Sequence, residues 1–477
     1  MIQIAVAPMT PRARLLPLVG TKALKVPRVL YMRPGTTVIL AALLGIGASS
    51  SGAELRYPEL SVVKYSLPNG LQVLLHEEHS SPLVAVYLWY RVGRADQAVG
   101  ESGLAHLFEH LMVLAGTKHI NVQQSETLIW SMGGGQDGAT PGFATTYYTF
   151  GRANYLETML WLHSDRMGFL EAALTEEAVR SQIRVIKNER SQIIDNRPFG
   201  RADQLVRDLL FPKPHPNHGS IFGSDEDLDR VTVDRLTRFF RAHYGPANVA
   251  LVIDGDFEPD VARRLVAQYF GTLKGPEQLP ATPPIAQPPP AQLRQTISAN
   301  IQSPRLTFAW LAMPNMAEGS VELDLLASLL GDGKAALLHQ ELVRRETLAE
   351  SVSCSRPTDL LGSIFKCDLT AAPGAEIGKL EAGFLRSLSR IAQVGPTPVD
   401  LNRAKARLKS GLLHRTENLV SRAILINYYN HFVGRPDYLG THLQVLAATS
   451  PESIRKTVKA YLDPGHAVVV LARPRGE

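Results

Sequence analysis

The sequence predicts an α+β protein made of two homologous α/β domains, each an antiparallel-rich sheet packed with helices. Three observations lead to this prediction. Stretches with strand-like and helix-like hydrophobic periodicity follow one another through most of the 477 residues. A segment rich in Pro and Gln, residues 275–293, separates two parts of the chain. The part after this linker repeats features of the part before it.

The repeat is clearest where a helix ends and a strand begins. Residues 242–253 align without gaps with residues 460–471, and in both a helix pattern is followed by a Pro-containing turn and an apolar strand pattern. The strand pattern at residues 306–312 likewise resembles the one at residues 84–90. The second domain is therefore expected to repeat the first.

The predicted boundaries follow from the linker and from the start of the chain. A targeting segment occupies residues 1–53, the first domain residues 54–274 and the second domain residues 294–477. The strand and helix patterns of the first domain, in order, lie at residues 71–75, 83–90, 145–150, 155–170 and 176–194. Thr175 precedes Glu176 and Glu177, an order that predicts a helix N-cap followed by an acidic first turn.

The first 53 residues differ in charge from the rest of the chain. They contain six basic residues and no Asp or Glu, so removing six positive charges from the formal net charge of +5 leaves a charge of −1. The sequence pI of about 9.1 therefore gives no support for a nucleic-acid partner, and none is predicted.

This leader also contains an apolar run at residues 36–48, too short to span a bilayer, followed by small residues up to Ala53. Basic residues precede the run. The pattern predicts a signal peptide cleaved near Ala53, an exported or periplasmic protein, and no stable membrane span in the mature chain. A mitochondrial transit peptide is the alternative, because the leader bears Arg and lacks acidic residues. Either Met1 or Met32 could be the true start.

The most specific motif is His-x-x-Glu-His at residues 106–110. On a helix, His106 and His110 lie one turn apart on one face, and Glu109 leans toward the same side. Two such imidazoles can bind one zinc ion, and the carboxylate can take a proton from water on the metal. A pair of buried structural histidines is the alternative, but burying three polar side chains unpaired would be costly. The order of residues is that of the inverted zincin peptidases.

A catalytic zinc site needs a third protein ligand, and two His with one Glu form an established set. Glu189 lies deep in the last helix pattern of the first domain, but several other carboxylates could serve, so residue chemistry alone does not select it. In the second domain, residues 336–342 look like the counterpart of the metal helix. Leu337 and Glu341 stand at the two His positions and Gln340 at the Glu position, so this domain is predicted to carry no metal site.

Two cysteines, Cys354 and Cys367, flank a segment that reads as a turn between two strands. Cross-strand pairing would place the two residues opposite one another, and an oxidising compartment would permit a disulfide. Two separate buried thiols are the alternative.

Together these motifs resemble the pitrilysin/insulinase family of zinc peptidases, and most closely its half-length branch, which includes the mitochondrial processing peptidases and bacterial periplasmic relatives. The resemblance covers nearly everything from about residue 60 to residue 474. It implies two similar domains facing each other around a chamber, with zinc on the wall of the first. The matching segments, in family order, are residues 103–117, 162–170, 185–190 with 195–198, and 215–256.

Carried onto this sequence, the resemblance implies that His106 and His110 bind one zinc ion per chain, with Glu189 as the third ligand and Glu109 as the general base. The family commonly has a Glu seven residues before the third ligand, on the same helix face. Here that position holds Gln182, which can hydrogen-bond but carries no charge.

A further matching segment consists of Asp137, Gly138, Ala139 and Thr140. In the family this is an edge strand, on which the enzymes hold peptide by strand addition, mostly through main-chain hydrogen bonds. The family usually has Asn where this chain has Asp137. The resemblance therefore implies a substrate-binding role for these four residues.

The sequence departs from the family in the second domain. Active members usually carry an Arg and a Tyr seven residues apart, which contribute to substrate binding and transition-state stabilisation. The matching positions here hold Val343 and Glu350; Arg344 lies one place off and no Tyr is near. Losing such donors would remove electrostatic stabilisation of the oxyanion that forms on the scissile carbonyl in the transition state. A homologous partner without zinc ligands is therefore expected to supply the Arg and the Tyr.

The predicted function is that of a zinc metalloendopeptidase acting on peptides or unfolded polypeptides, as the zinc-bearing subunit of a heterodimer. A homodimer is the alternative assembly. The alternative function is a non-catalytic scaffold subunit of a larger complex. The intact set of His106, Glu109, His110 and Glu189 favours the peptidase, because drift to a scaffold usually removes metal ligands.

Overall fold

The computed structural model describes residues 59–275, 285–357 and 359–475, whose strands and helices form two lobes. The predicted leader with its cleavage position, and linker residues 276–284, lie outside the described residues. The N-terminal lobe contains β1 (Val63–Ser66), β2 (Gln72–Glu77), β3 (Leu83–Tyr90), α1 (Leu104–Leu114), α2 (Val122–Ser131), β4 (Gly135–Ala139), β5 (Thr145–Arg152), α3 (Leu156–Phe169), α4 (Glu176–Arg190), α5 (Gly200–Leu210), α6 (Asp225–Asp229), α7 (Val233–His243), β6 (Val249–Gly255) and α8 (Pro259–Phe270). The C-terminal lobe contains β7 (Leu293–Ala299), β8 (Arg305–Ala312), α9 (Ser320–Gly331), β9 (Ala349–Ser355), β10 (Ser363–Ala371), α10 (Ile377–Val394), α11 (Pro398–Glu417), α12 (Leu419–Val433), α13 (Leu439–Ala448), α14 (Pro451–Tyr461) and β11 (Val468–Pro474).

Each lobe is built on one sheet. In the described part of the chain, the N-terminal sheet has six strands in the order β1-β2-β6-β3-β5-β4, and the C-terminal sheet has five in the order β7-β11-β8-β10-β9. The pairs β2–β6 and β7–β11 are parallel, and the other pairs are antiparallel. The predicted fold class, a mixed α/β protein with antiparallel-rich sheets packed with helices, is confirmed.

Apart from β1, the strands of the two sheets correspond in order, which corrects one detail of the predicted repeat. Strand β8 is the counterpart of β3, and a helix follows each of them along the chain: α1 follows β3, and α9 follows β8. Helix α1 packs against α4 and β4, and α9 packs against the equivalent α11 and β9. The counterpart of the metal helix is therefore α9, and not residues 336–342, which come after it as α2 comes after α1. Helix α9 contains no His.

The lobes exchange one helix each, and this exchange covers the second face of both sheets. Helix α5 of the N-terminal lobe packs on β7, β8 and β11, and α12 of the C-terminal lobe packs on β3 and β6. Along β3, Val84, Val86 and Leu88 face the helices of their own lobe, whereas Tyr87 and Trp89 join the core of the other lobe. Both faces are apolar because both are covered.

A buried ion pair fixes one of the exchanged helices. Nε of Arg422, on α12, lies 3.0 and 3.1 Å from the two carboxylate oxygens of Asp254, on β6. Nδ1 of His76, on β2, lies 2.7 Å from the same carboxylate. Removing one partner would leave a buried charge uncompensated, which destabilises a fold strongly.

Several local predictions agree with the structure. The strand predicted at residues 83–90 is β3, and Thr175 caps α4 by accepting a hydrogen bond from the backbone N–H of Ala178. The two cysteine-bearing strands are β9 and β10, and Cys354 faces Cys367 across them with Cα atoms 4.1 Å apart in a disulfide.

Within the described residues, no helix combines the length and the apolarity needed to cross a membrane.

Candidate metal centre

His106, Glu109 and His110 lie on α1, in the arrangement that their spacing predicts. The helix begins after Gly103, whose φ of +93° lies in the left-handed region that favours glycine. A Cβ atom at this position would lie 2.8 Å from the carbonyl oxygen of Phe222, so glycine also allows a close backbone approach. The apolar residues of α1 are buried in the core of the N-terminal lobe, which fixes the orientation of the polar face.

Helix α4 packs against α1 and brings Glu189 to the two histidines. Oε2 of Glu189 lies 3.7 Å from Nε2 of His106 and 3.5 Å from Nε2 of His110. The donor atoms of the three residues all lie within 4.8 Å of one another. We call these residues the ligand triad. Within the described residues, no other group of His, Cys, Asp or Glu side chains has this geometry.

The geometry of the ligand triad suits one zinc ion. Donor atoms at roughly 2.0–2.2 Å from a tetrahedral zinc ion lie roughly 3.3–3.6 Å from one another, close to the two separations measured from Glu189. Oε2 of Glu189 is buried without a hydrogen-bond partner, which is costly for a carboxylate that has no cation beside it. Three protein ligands leave one position open, as in catalytic zinc sites.

The protonation states of His106 and Glu189 also suit metal binding. For His110, burial lowers the pKa, but the contact with Glu189 and the charge of Glu109 outweigh burial and raise it, so this imidazole must give up a proton when it binds a metal. Burial, together with the neighbouring His110, lowers the pKa of His106 to about 4, so this imidazole is neutral at neutral pH, as a metal ligand must be. The nearby His110 ring lowers the pKa of Glu189, which therefore stays ionised. Burial raises the pKa of Glu109 to about 7, a value suited to a general base.

Two neighbours hold the imidazole rings. Nδ1 of His110 lies 3.2 Å from Oε1 of Gln182, so Nδ1–H can donate to this amide while Nε2 faces Glu189. The structure thus brings Gln182 beside a ligand, as the resemblance implies. The Phe222 ring packs edge-on against His106, with ring centroids 5.0 Å apart. The contact with Phe222 could not be read from the sequence, because no local pattern connects residues on separate elements.

The side chain of Glu109 contacts the end of β4. The hydroxyl of Thr140 donates a hydrogen bond of 2.5 Å to Oε2 of Glu109. Burial raises the pKa of this carboxyl, and the hydrogen bond from Thr140 opposes that effect. Thr140 is itself buried. The sequence predicted Thr140 only as a part of the substrate-binding strand, and the structure shows that it also orients Glu109.

Replacing Thr140 by Val should remove this hydrogen bond while keeping the shape of the side chain. We expect kcat/KM for peptide cleavage to fall about tenfold or more, since a hydrogen bond to a charged group contributes roughly 1.5–3 kcal/mol. The acid limb of the pH–rate profile should move to higher pH, because the hydroxyl holds the pKa of Glu109 down. Thr140→Ser retains the hydroxyl and is the matched control. A Val variant with the wild-type rate and profile would contradict the role of Thr140.

Strand β4 is positioned to receive an added strand. It lies at one edge of the sheet, with β5 on one side and no described strand on the other. It passes close to Glu109: a Cβ atom on Gly138 would lie 2.9 Å from Cγ of Glu109. Asp137 and Ala139 are exposed on the same strand, and Oδ1 of Asp137 accepts a hydrogen bond of 2.9 Å from the backbone N–H of Gly138. An open edge of this kind suits strand addition, but the peptide-binding role of these residues stays a prediction.

The second-domain positions that depart from the family pattern lie in the C-terminal lobe. Val343 packs against the core of that lobe. Glu350, on β9, accepts a hydrogen bond of 3.3 Å from the hydroxyl of Ser303. The side chain of Arg344 is exposed. None of these contacts supplies a hydrogen-bond donor to the ligand triad.

Two His and one Glu, with a second Glu beside them, form a residue set of the kind that zinc hydrolases use, on a scaffold of two sheets. Comparison with known protein families identifies the family to which such a site belongs. Residues 72–214 match the family profile described as Insulinase (Peptidase family M16), and residues 230–408 match the profile described as Peptidase M16 inactive domain. Together the profiles match more than half of the chain. The chain therefore belongs to the insulinase family of peptidases, M16.

The names of similar proteins and solved structures agree with this family. The chain is 25% identical over 413 residues to the protein named Zinc protease PqqE of Helicobacter pylori, covering 85% of this chain and 90% of that protein. The fold is similar to the crystal structure of a protease from Helicobacter pylori, with a TM-score of 0.79, 22% identity, and coverage of 87% of this chain and 99% of that chain. It is also similar to the periplasmic protease PqqL from Escherichia coli, with a TM-score of 0.71, 16% identity, and coverage of 87% of this chain and 48% of that chain.

Proposed function

We propose that this chain is a zinc-dependent metalloendopeptidase that hydrolyses peptides or unfolded polypeptides. The observation that carries the proposal is the ligand triad, whose donor separations suit one zinc ion, with the Glu109 carboxylate on the same helix face. The carboxylate Oε2 of Glu109 lies 3.8 Å from Nε2 of His106. The names of the relatives support zinc as the metal.

The chemistry follows from these positions. Zinc held by the ligand triad would polarise the scissile carbonyl and acidify the attacking water. The Glu109 carboxylate accepts the proton of that water as the water attacks the carbonyl carbon, and then delivers it to the leaving amine nitrogen. Thr140 holds the carboxylate in place during both transfers. The open edge of β4 would align the substrate main chain beside Glu109 through backbone hydrogen bonds.

We further propose that the chain is the zinc-bearing subunit of a heterodimer, whose homologous partner without zinc ligands supplies an Arg and a Tyr. Val343 and Glu350 support this assembly, because neither side chain can donate a hydrogen bond to a developing oxyanion at neutral pH. A homodimer would not supply these donors either. The same two residues, with the inactive-domain profile over residues 230–408, favour the second candidate function, a non-catalytic scaffold subunit.

Export from the cytoplasm is proposed as well. The charged and then apolar leader of residues 1–53 supports a signal peptide, and PqqL, a fold neighbour, is described as periplasmic. The disulfide between Cys354 and Cys367 is consistent with an oxidising compartment.

The test uses residues 54–477, purified alone and mixed with a homologous chain that lacks zinc ligands and is encoded in the same genome. Zinc content and cleavage of a quenched unstructured peptide are measured for each sample. We expect one zinc ion per chain, little cleavage by the chain alone, and a rate at least tenfold higher in the mixture, since oxyanion donors typically contribute about 10²–10³-fold to kcat.

The outcomes separate the candidates. If the chain alone cleaves peptide as fast as any mixture, the heterodimer proposal is wrong and the peptidase proposal stands. Zinc without cleavage in any mixture supports the scaffold. A chain without zinc also supports the scaffold, and in that case the ligand triad is not a metal site.

A further inference from the structure

A second feature of the structure is a cavity of about 520 Å³ between the two lobes, which we call the interlobe cavity. Its size falls within the roughly 300–1,000 Å³ typical of ligand pockets. Helix α5 forms one wall, and strands β8 and β10 of the other lobe form the opposite one. The apolar residues that line it include Ile193, Phe199, Phe222 and Ile364.

The interlobe cavity adjoins the ligand triad. The ring of Phe222 lines the cavity and also packs edge-on against the zinc-ligand candidate His106. Ile193 lines it as well, and follows Glu189 by four residues, about one helical turn, where α4 continues into the π-helical segment Ser191–Asp195. The cavity therefore begins about one side chain away from the ligand triad, within the span of a few extended peptide residues at roughly 3.3 Å each.

The wall of the cavity is strongly basic. It carries the cationic side chains Arg94, Arg197, Arg207, Arg305 and Lys366, and a single carboxylate, Asp203. Asp203 already accepts from two of them: it lies 2.6 Å from Arg305 and 2.9 Å from Lys366. The other three cations donate no hydrogen bond to Asp203.

Two of the remaining cations have no hydrogen-bond partner for their side chains. Among the described residues, Arg197 and Arg207 form no hydrogen bond or ion pair through their side chains, and Arg207 contacts only the ring of Phe211 through its guanidinium. The carboxylates of Asp208 and Asp359 lie near Arg207 and attract it electrostatically, and Oδ1 of each accepts hydrogen bonds from other groups. A guanidinium group has five N–H donors, so donors remain available to the cavity.

Arg94 adds a further guanidinium to this wall and forms a buried ion pair with Asp359. It is only 5% exposed, its Nε has no hydrogen-bond partner, and its contacts with Asn217 and Asp359 are long, at 3.3 and 3.4 Å. Burial lowers the pKa of Arg94 to about 9, and the like charge of Arg207 acts in the same direction. Two guanidinium groups held close together in a part-buried cavity would both be stabilised by an incoming anion.

We propose that the interlobe cavity is a substrate subsite that binds a carboxylate of the peptide, through Arg207 and Arg197. This inference rests on the proposed peptidase function and adds to it a preference for acidic substrates. A peptide carboxylate fits better than a small free anion, because the apolar wall contacts the methylene groups or main chain that accompany it. The carboxylate can come from an Asp or Glu side chain or from the C-terminus of a short peptide.

The test measures peptide binding, so that it does not depend on turnover. The full chain carrying Glu109→Gln is titrated into fluorescent peptides, and binding is followed by anisotropy. The first arm uses a neutral peptide, acetylated and amidated, in which one Gln is replaced by Glu at successive positions. The second arm uses the same neutral peptide in shorter lengths with a free C-terminal carboxylate. We expect one position in the first arm, or one length in the second, to bind about tenfold more tightly than the neutral peptide.

Two further substitutions test whether the cavity causes that preference, and a third serves as the control. Arg207→Gln should abolish it, and Arg197→Gln, at an exposed position where folding is not at risk, should reduce it at least threefold. Arg241→Gln is the control for net charge: Arg241 is exposed on α7, pairs with Glu171, and does not line the cavity. The neutral peptide should bind all four proteins equally.

The outcomes distinguish this inference from the function on which it rests. If peptides bind but charge has no effect, or if Arg241→Gln reduces the preference as much as Arg207→Gln, the carboxylate subsite is overturned and the peptidase function is not. If no peptide binds, whether charged or neutral, either to the chain alone or to its mixture with the partner chain, both the subsite and the peptidase function are overturned.

Discussion

Replacing Glu109 by Gln is expected to lower kcat/KM for a quenched unstructured peptide by about 10²–10⁴-fold, the usual contribution of a general base. Gln has the same shape as Glu and can still accept the hydrogen bond from Thr140, but it cannot take a proton from the attacking water. The ligand triad is unchanged, so zinc content should stay at one ion per chain. The two measurements are the steady-state cleavage rate and the zinc content of the same preparation, in the presence of the partner chain if cleavage requires it.

The matched control for this substitution is Glu126→Gln. Glu126 is exposed on α2, and the substitution removes the same negative charge away from the ligand triad. It should leave both the rate and the zinc content at wild-type values. A Glu109→Gln variant that retains more than about a tenth of the wild-type rate would show that another group accepts the proton.

Replacing His110 by Ala is expected to remove zinc and to lower cleavage by about 10³-fold or more. The variant keeps only His106 and Glu189 as ligands, and loss of the metal removes several kcal/mol of transition-state stabilisation. It also leaves Gln182 without its imidazole partner. Zinc per chain, measured by elemental analysis after dialysis, should fall from one to near zero, and added zinc should no longer raise the melting temperature.

His414→Ala is the control for the loss of an imidazole. His414 lies on α11 with its side chain 82% exposed and pairs with Glu417, so its loss should change neither zinc content nor rate. Stoichiometric zinc in His110→Ala would mean that the metal binds elsewhere. A wild-type chain that binds no zinc in the absence of chelator would mean that the ligand triad is not a zinc site.

The sequence determined those features that depend on neighbours along the chain. Strand β3 was predicted with its observed bounds, because eight consecutive apolar residues specify a strand that is covered on both faces. His106, Glu109 and His110 could be assigned to one helix face because the helical repeat fixes the directions of residues three and four apart. Thr175 could be assigned as a cap from its position before two acidic residues. The cross-strand position of Cys354 opposite Cys367 followed from a short hairpin, but the sequence left a disulfide and two separate buried thiols both open.

Only the tertiary structure decided the features that depend on packing between distant elements. Residue chemistry allowed several carboxylates as the third ligand, and the packing of α4 on α1 brings Glu189 to the histidines. The counterpart of the metal helix was misplaced at residues 336–342, because a short match of apolar residues contains no information on which helix follows which strand in the sheet. The exchange of α5 and α12 between lobes, the hydrogen bond from Thr140 to Glu109, and the basic interlobe cavity have no local signal. Each of them is a contact between segments far apart in the chain, and its position is set by how the two sheets pack their apolar faces.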